Sequence, residues 1–352
     1  MAPASTAIKR ALVLGENSTA LSHAALLAHH GFETVLMEED ESGVVRSRDF
    51  LKRFYDGQPD WQADSIKPTP LPFEKLTGRF DVLIDAGDAN LKERVQKLSL
   101  FSKLLNPDPL IAFQTSTPDP LVGKEQGVEI PTLHQFHISG QPHLATLVEC
   151  ATFDGMNTDP LSQFWRTLGK QVILTKPAGQ FVASRLSTAL YETLDSLLLE
   201  GALPYEIDEA LAKFGFAIGP YEAQDLAGLD GPFYERKQAN TTLLISDRLV
   251  QEGRLGKKVG VGWYRYPGGG GAVVDPLLED LIVEEARFAK IERRQINDQE
   301  IVSRVVSPLT DEAAFILENG IVPSACNLDK LSIEALHFPH GGIYSYADKH
   351  SS

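Results

Sequence analysis

ALVLGENSTALSHAALLAHHGFETVLME, residues 11–38, decides how the first half of the chain folds. Its opening run, ALVLG, is short, apolar and closed by Gly15, the pattern of a strand buried on both faces of a parallel sheet. The alanine- and leucine-rich segment after it reads as a helix ending at Gly31. Residues 33–37 form a second strand with Glu38 at its end. Strand, turn, helix and strand with a terminal acid outline a dinucleotide-binding unit. Its glycine fingerprint is only partly present: Gly15, Asn17 and Ala20 stand at the three positions. Asn17 accepts left-handed dihedrals, but its side chain takes space through which backbone approaches a pyrophosphate. Glu38 can accept from a ribose 2'-hydroxyl and would repel a 2'-phosphate, so NAD rather than NADP is expected.

Strands and helices continue to alternate. Residues 41–78 are polar and broken by Pro59, Pro68, Pro70 and Pro72, giving a short helix near 48–54 and then an extended segment. DVLIDA, 81–86, is another buried strand, and Ala86 at its end is a further candidate cofactor contact. A helix follows, then the strand PLIAF, 109–113. Gln114, Thr115, Ser116 and Thr117 lie beyond its carboxyl end, where such sheets bind ligands. Ser116 there suits either a substrate oxygen or a plain turn. A helix over 159–168 and a short strand over 172–174 complete a domain of residues 1–175.

FHISGQPHLATLVE, 136–149, carries the candidate chemistry. His137 and Glu149 are twelve residues apart, with Gly140 and Pro142 between them. A loop leading into a strand or helix start could join the two side chains. The carboxylate would then fix the imidazole tautomer and raise its basicity, as an acid/base centre requires. The same residues also suit a hydrogen-bonded core histidine.

After Thr175 the pattern becomes helical. Residues 181–199 place Phe181, Leu186, Leu190, Leu194 and Leu197 on roughly one face. Helices are also expected over 207–214, from Pro220, and over 241–252, 276–290 and 298–319, with Gly228 and Gly231 ending a packed stretch. GRLGKKVGVGWYRY is a glycine-punctuated loop held down by its aromatic residues. LLLEGALPYEID, ending at Asp208, is echoed by FILENGIVPSACNLD, ending at Asp329. The fold class is therefore α/β: a Rossmann-like N-terminal domain, then an all-helical region of two related units, 176–270 and 271–352.

A net charge of −15 with no long basic block argues against nucleic acid as a partner. Cys150 and Cys326 form no disulfide framework and have no metal-ligand spacing around them. No apolar stretch approaches the length of about 18 residues that spans a membrane. The polar start MAPASTAIKR does not read as a signal peptide, so a cytoplasmic protein without membrane attachment is expected.

Together these residues resemble the 3-hydroxyacyl-CoA dehydrogenase family, in particular the dehydrogenase portion of multifunctional fatty-acid β-oxidation proteins. FHISGQPHLATLVE is similar to the family's catalytic histidine segment, with His137, His143 and Glu149 in register. LLLEGALPYEIDEALAKFGFAIGPYEAQDLAGLDG is similar to its helical-domain signature, and residues 300–348 to a second helical unit. The resemblance implies that His137 takes the proton from a 3-hydroxyl as hydride leaves for NAD. It also implies that Glu149 supports the imidazolium, that Ser116 bonds the substrate oxygen, and that CoA lies between the domains. An acyl-CoA thioester is the implied partner, with the chain a monomer or homodimer and a possible member of a β-oxidation assembly. The chain also departs from the family. Ser184 and Gln114 each replace an asparagine, and no glutamate stands at the usual place near the nicotinamide. The alternative is a diverged member without dehydrogenase activity: a CoA-ester or nucleotide binder, a partner subunit, or a non-redox enzyme.

Overall fold

Five- and six-residue apolar runs build the N-terminal half, as the computed structural model shows. It describes residues 9–350 except 39, 56–65, 71–75, 77, 90, 122–132 and 239. Contacts divide the chain into two compact units, 1–181 and 182–352.

In the first unit β1 (Arg10–Leu14) leads to α1 (Ser18–His29), β2 (Glu33–Glu38) and α2 (Glu41–Tyr55). Next come β3 (Ile66–Pro70), β4 (Phe80–Asp85), α3 (Leu91–Phe101), β5 (Leu105–Gln114) and β6 (Leu133–His137). The unit ends with β7 (Leu147–Ala151), α4 (Asp159–Thr167) and β8 (Gln171–Thr175). They form one sheet in the order β3-β2-β1-β4-β5-β6-β7-β8. Neighbours run parallel except β6 and β7, which are antiparallel. The order reverses between β1 and β4, the switch point outside which open α/β sheets bind ligands. Apolar cores cover both faces: Ala24, Leu27 and Trp165 lie in one, and Leu83, Val95 and Leu98 in the other.

Two elements differ from expectation. The helix expected near 48–54 begins at Glu41. The Asp40 carboxylate accepts from the Gly43 amide at 2.8 Å, and Val44, Ser47 and Leu51 bury one helical face that the surrounding charges disguise. LHQFH, residues 133–137, is a fully buried strand although two of its first three residues are polar. The extended proline segment is in part the edge strand β3, where Pro68 and Pro70 are tolerated. Pro59 and Pro72 lie outside the described residues.

The second unit is helical. It comprises α5 (Val182–Glu200), α6 (Pro204–Phe214), α7 (Pro220–Ala227), α8 (Asp230–Gln238), α9 (Leu244–Gln251), α10 (Pro276–Phe288), α11 (Asp298–Glu318), α12 (Ala325–Leu336) and α13 (Ile343–His350). The long apolar α5 packs against α9, α10, α11 and α12. Gly231 does not end the packed stretch; it sits in the first turn of α8, and the next helix starts at Leu244 rather than 241. Buried carboxylates hold helix starts here. Asp208 accepts from the Tyr221 and Glu222 amides at the start of α7, at 3.0 and 3.1 Å. Asp329 does the same for Tyr344 and Ser345 at the start of α13, at 2.8 and 3.2 Å. The two aspartates that end the echoed sequences therefore perform the same task. Asp225 takes the Trp263 and Tyr264 amides at 2.8 and 2.9 Å, which pins the glycine-punctuated loop. Phe214, Phe338 and Tyr346 share ring contacts that fasten the tail.

A candidate active site at the ends of β5, β6 and β7

Strand register joins the two candidate catalytic residues. His137 ends β6, and Glu149 lies on β7 directly opposite it in the antiparallel ladder. Directly opposed residues have Cβ atoms within about 5.5 Å of each other. The twelve-residue spacing is thus a strand reversal through residues 138–146. Burial leaves His137 8% and Glu149 1% exposed. Loss of water pushes the His137 pKa down to about 4, against a raising hydrogen bond to the Thr115 backbone. The ring is therefore neutral at pH 7 and able to accept a proton. Phe181 stacks on it, with centroids 5.9 Å apart and planes inclined by 22°.

Ser116 lies half-buried just after β5. Its carbonyl accepts from the Phe181 amide at 2.9 Å, so Phe181 touches both Ser116 and His137. Gln135 holds the same loop, accepting from the Asp119 amide at 2.8 Å and donating to its carbonyl at 2.6 Å. Ser184 sits buried in the first turn of α5 and belongs to the helical unit.

Three groups that sequence reading missed hold the strand reversal. Lys170, only 8% exposed, donates through Nζ to the Pro142 carbonyl at 2.7 Å and the Ala145 carbonyl at 2.5 Å. Ser22 on α1 accepts from the His143 amide at 3.0 Å, and its Oγ lies 2.6 Å from His143 Nδ1. His23, also on α1, meets Gln114 Oε1 at 2.5 Å, while Gln114 Nε2 reaches the Ile138 carbonyl at 3.4 Å. Partners about 25 to 120 residues apart leave no local periodicity to read.

The expected cofactor residues gather at the switch point. Gly15 adopts φ +133°, and a Cβ there would stand 2.9 Å from Ala20 Cβ and 3.0 Å from the Ala86 carbonyl. This tight turn, with the N-terminus of α1 behind it, fits the backbone frame of a dinucleotide site. The Asn17 side chain lies over that frame, as its size leads one to expect. Asn17 Oδ1 accepts from the Ala20 amide at 2.8 Å, while Nδ2 donates to the Ala86 carbonyl at 2.8 Å and Asp88 Oδ1 at 2.6 Å. Glu38 is 2% exposed, and its carboxylate accepts from Ser47 on α2. Burial raises its pKa, with the Ser47 bond opposing. Among the described residues no cluster could hold a metal ion, and no helix is long and apolar enough to cross a membrane.

Comparison with known proteins agrees with this architecture. Residues 181–266 match the family model described as 3-hydroxyacyl-CoA dehydrogenase, C-terminal domain. The peroxisomal bifunctional enzyme of Danio rerio is 26% identical over 368 residues, covering 97% of this chain and 51% of the relative. That of Homo sapiens is 27% identical over 346 residues, covering 89% and 48%. The chain thus spans about half the length of these relatives. Its fold is shared with 3-hydroxybutyryl-CoA dehydrogenase from Escherichia coli (TM-score 0.73, 18% identity, 97% and 92% of the two chains). It is also shared with the dehydrogenase part of multifunctional enzyme 1 from C. elegans (TM-score 0.61, 21% identity, 95% and 80%). From the sheet order, the paired β6 and β7 and these matches, the chain is a relative of the 3-hydroxyacyl-CoA dehydrogenases that carries their C-terminal domain at residues 181–266.

Proposed function

We propose that this chain oxidises a 3-hydroxyacyl-CoA to the 3-oxoacyl-CoA with NAD, and runs the reverse reduction. The observation that carries the reading is the register of His137 opposite Glu149, both buried at the end of the sheet. A neutral imidazole nitrogen of His137 takes the proton of the 3-hydroxyl as the C3–O bond becomes a carbonyl. The Glu149 carboxylate stabilises the imidazolium that forms, in a setting where water does not. Ser116 donates a hydrogen bond to the substrate oxygen. Gly15, Ala20 and Ala86 would hold NAD, which would supply the acceptor for the hydride leaving C3. The repeated aspartate cap supports reading the helical region as two related halves, 176–270 and 271–352.

A second reading, a CoA-ester binder without hydride transfer, is favoured by the Asn17 side chain over the α1 terminus and by the inward Glu38. Acetoacetyl-CoA separates the two readings. Dehydrogenase activity predicts loss of NADH absorbance that depends on the thioester. Calorimetric binding of acetoacetyl-CoA with no NADH consumed would favour the second reading.

A further inference from the structure

We infer that Asn17 is an intramolecular competitor for the cofactor: its side chain occupies the phosphate-binding end of α1 and sets how weakly a dinucleotide binds. The inference rests on the reading that NAD uses the crevice over Gly15. A pyrophosphate binds such a crevice through unoccupied amides at the helix N-terminus, with backbone close enough to touch it. Here the Ala20 amide already donates to Asn17 Oδ1 at 2.8 Å. The other end of the same amide group spans the switch point, reaching the Ala86 carbonyl at 2.8 Å and Asp88 Oδ1 at 2.6 Å.

One side chain therefore bonds both the turn after β1 and the turn after β4. It also holds the Asp88 carboxylate beside this turn, where its negative charge would repel a pyrophosphate. A ligand that displaces this side chain breaks its three hydrogen bonds and meets a negative charge. Both effects weaken binding without altering the backbone frame, because Gly15 and Ala20 keep the tight packing the frame needs. Asn17 and Asp88 thus control cofactor affinity, separately from the His137 chemistry.

Calorimetry of NADH binding tests this on the full chain, in the unmodified protein and in Asn17→Gly, Asn17→Ser and Asp88→Asn. Glycine removes the plug and tolerates the cap position, so Asn17→Gly should bind NADH at least tenfold more tightly. Asn17→Ser keeps an acceptor for the Ala20 amide but lacks the bridging amide, and should show a smaller gain. Asp88→Asn removes the repulsion and should tighten binding with a weaker salt dependence. It also provides an independent test should Asn17→Gly fold poorly. Unchanged or weaker binding in both Asn17→Gly and Asp88→Asn, with measurable binding in the unmodified protein, would overturn the inference and leave the NAD reading standing. No binding by any of the four proteins up to millimolar NADH would overturn both.

Discussion

His137 shows how burial, against an opposing hydrogen bond to the Thr115 backbone, sets a protonation state. Its pKa falls to about 4, so in the oxidative direction the proton-accepting form is present throughout the usual pH range. The kcat/KM for oxidation should stay flat from pH 8 down to about 5, because that parameter reports the free enzyme. Reduction needs the protonated ring, and its kcat/KM should rise about tenfold for each pH unit lowered over the same range. An acid limb in the oxidative profile near the ordinary histidine value of about 6.5 would show that burial does not set this ring in the working enzyme.

At the scale of elements, the strand reversal between His137 and Glu149 is held by contacts far away in sequence. Lys170 is a positioning residue: it satisfies two carbonyls of residues 138–146, while Ser22 and His23 fasten that region to α1. Removing a buried charge-assisted donor leaves carbonyls unpaired, at a cost of about 1–3 kcal/mol. Lys170→Met should lower stability by that amount and reduce kcat more than it raises KM for the thioester. A melting temperature and kinetics equal to the unmodified protein would exclude this role. The sequence exposed the apolar strands, α1 and α5 clearly, because their patterns are local. It hid β6, whose His134 and Gln135 are buried polar residues, and α2, whose buried face is masked by charge. That the chain between His137 and Glu149 brings the two together was legible in their spacing. The Asn17 bridge was foreseen only as an obstruction, since its partners Ala86 and Asp88 lie about 70 residues away.

Across the whole molecule, the buried histidines of the sheet unit and the buried aspartates of the helical unit respond to pH in opposite senses. His23, His134 and His137 in the sheet unit all have pKa values lowered to about 4 by burial. The unfolded chain thus binds more protons, and stability from these groups is complete above about pH 6.5 and lost as pH falls towards 4. In the helical unit burial raises Asp208 to about 6, and it raises Asp195 and Asp225 as well. That contribution is fullest below their ordinary values and lost as pH rises through the raised ones. Acidification from pH 7 to 4.5 should therefore unfold the sheet unit first. Hydrogen exchange resolved by segment would detect it as lost protection in β1, β4 and β6 while α5 and α11 stay protected. Simultaneous loss in both units would contradict this.

The pairing of His137 with Glu149 is the central claim, and turnover of acetoacetyl-CoA with saturating NADH tests it most directly. The unmodified chain should oxidise NADH, and His137→Gln should lower kcat by about 10²–10⁴, the range for loss of a positioned acid/base group. Equal rates in the two proteins would remove His137 from the chemistry and contradict the account.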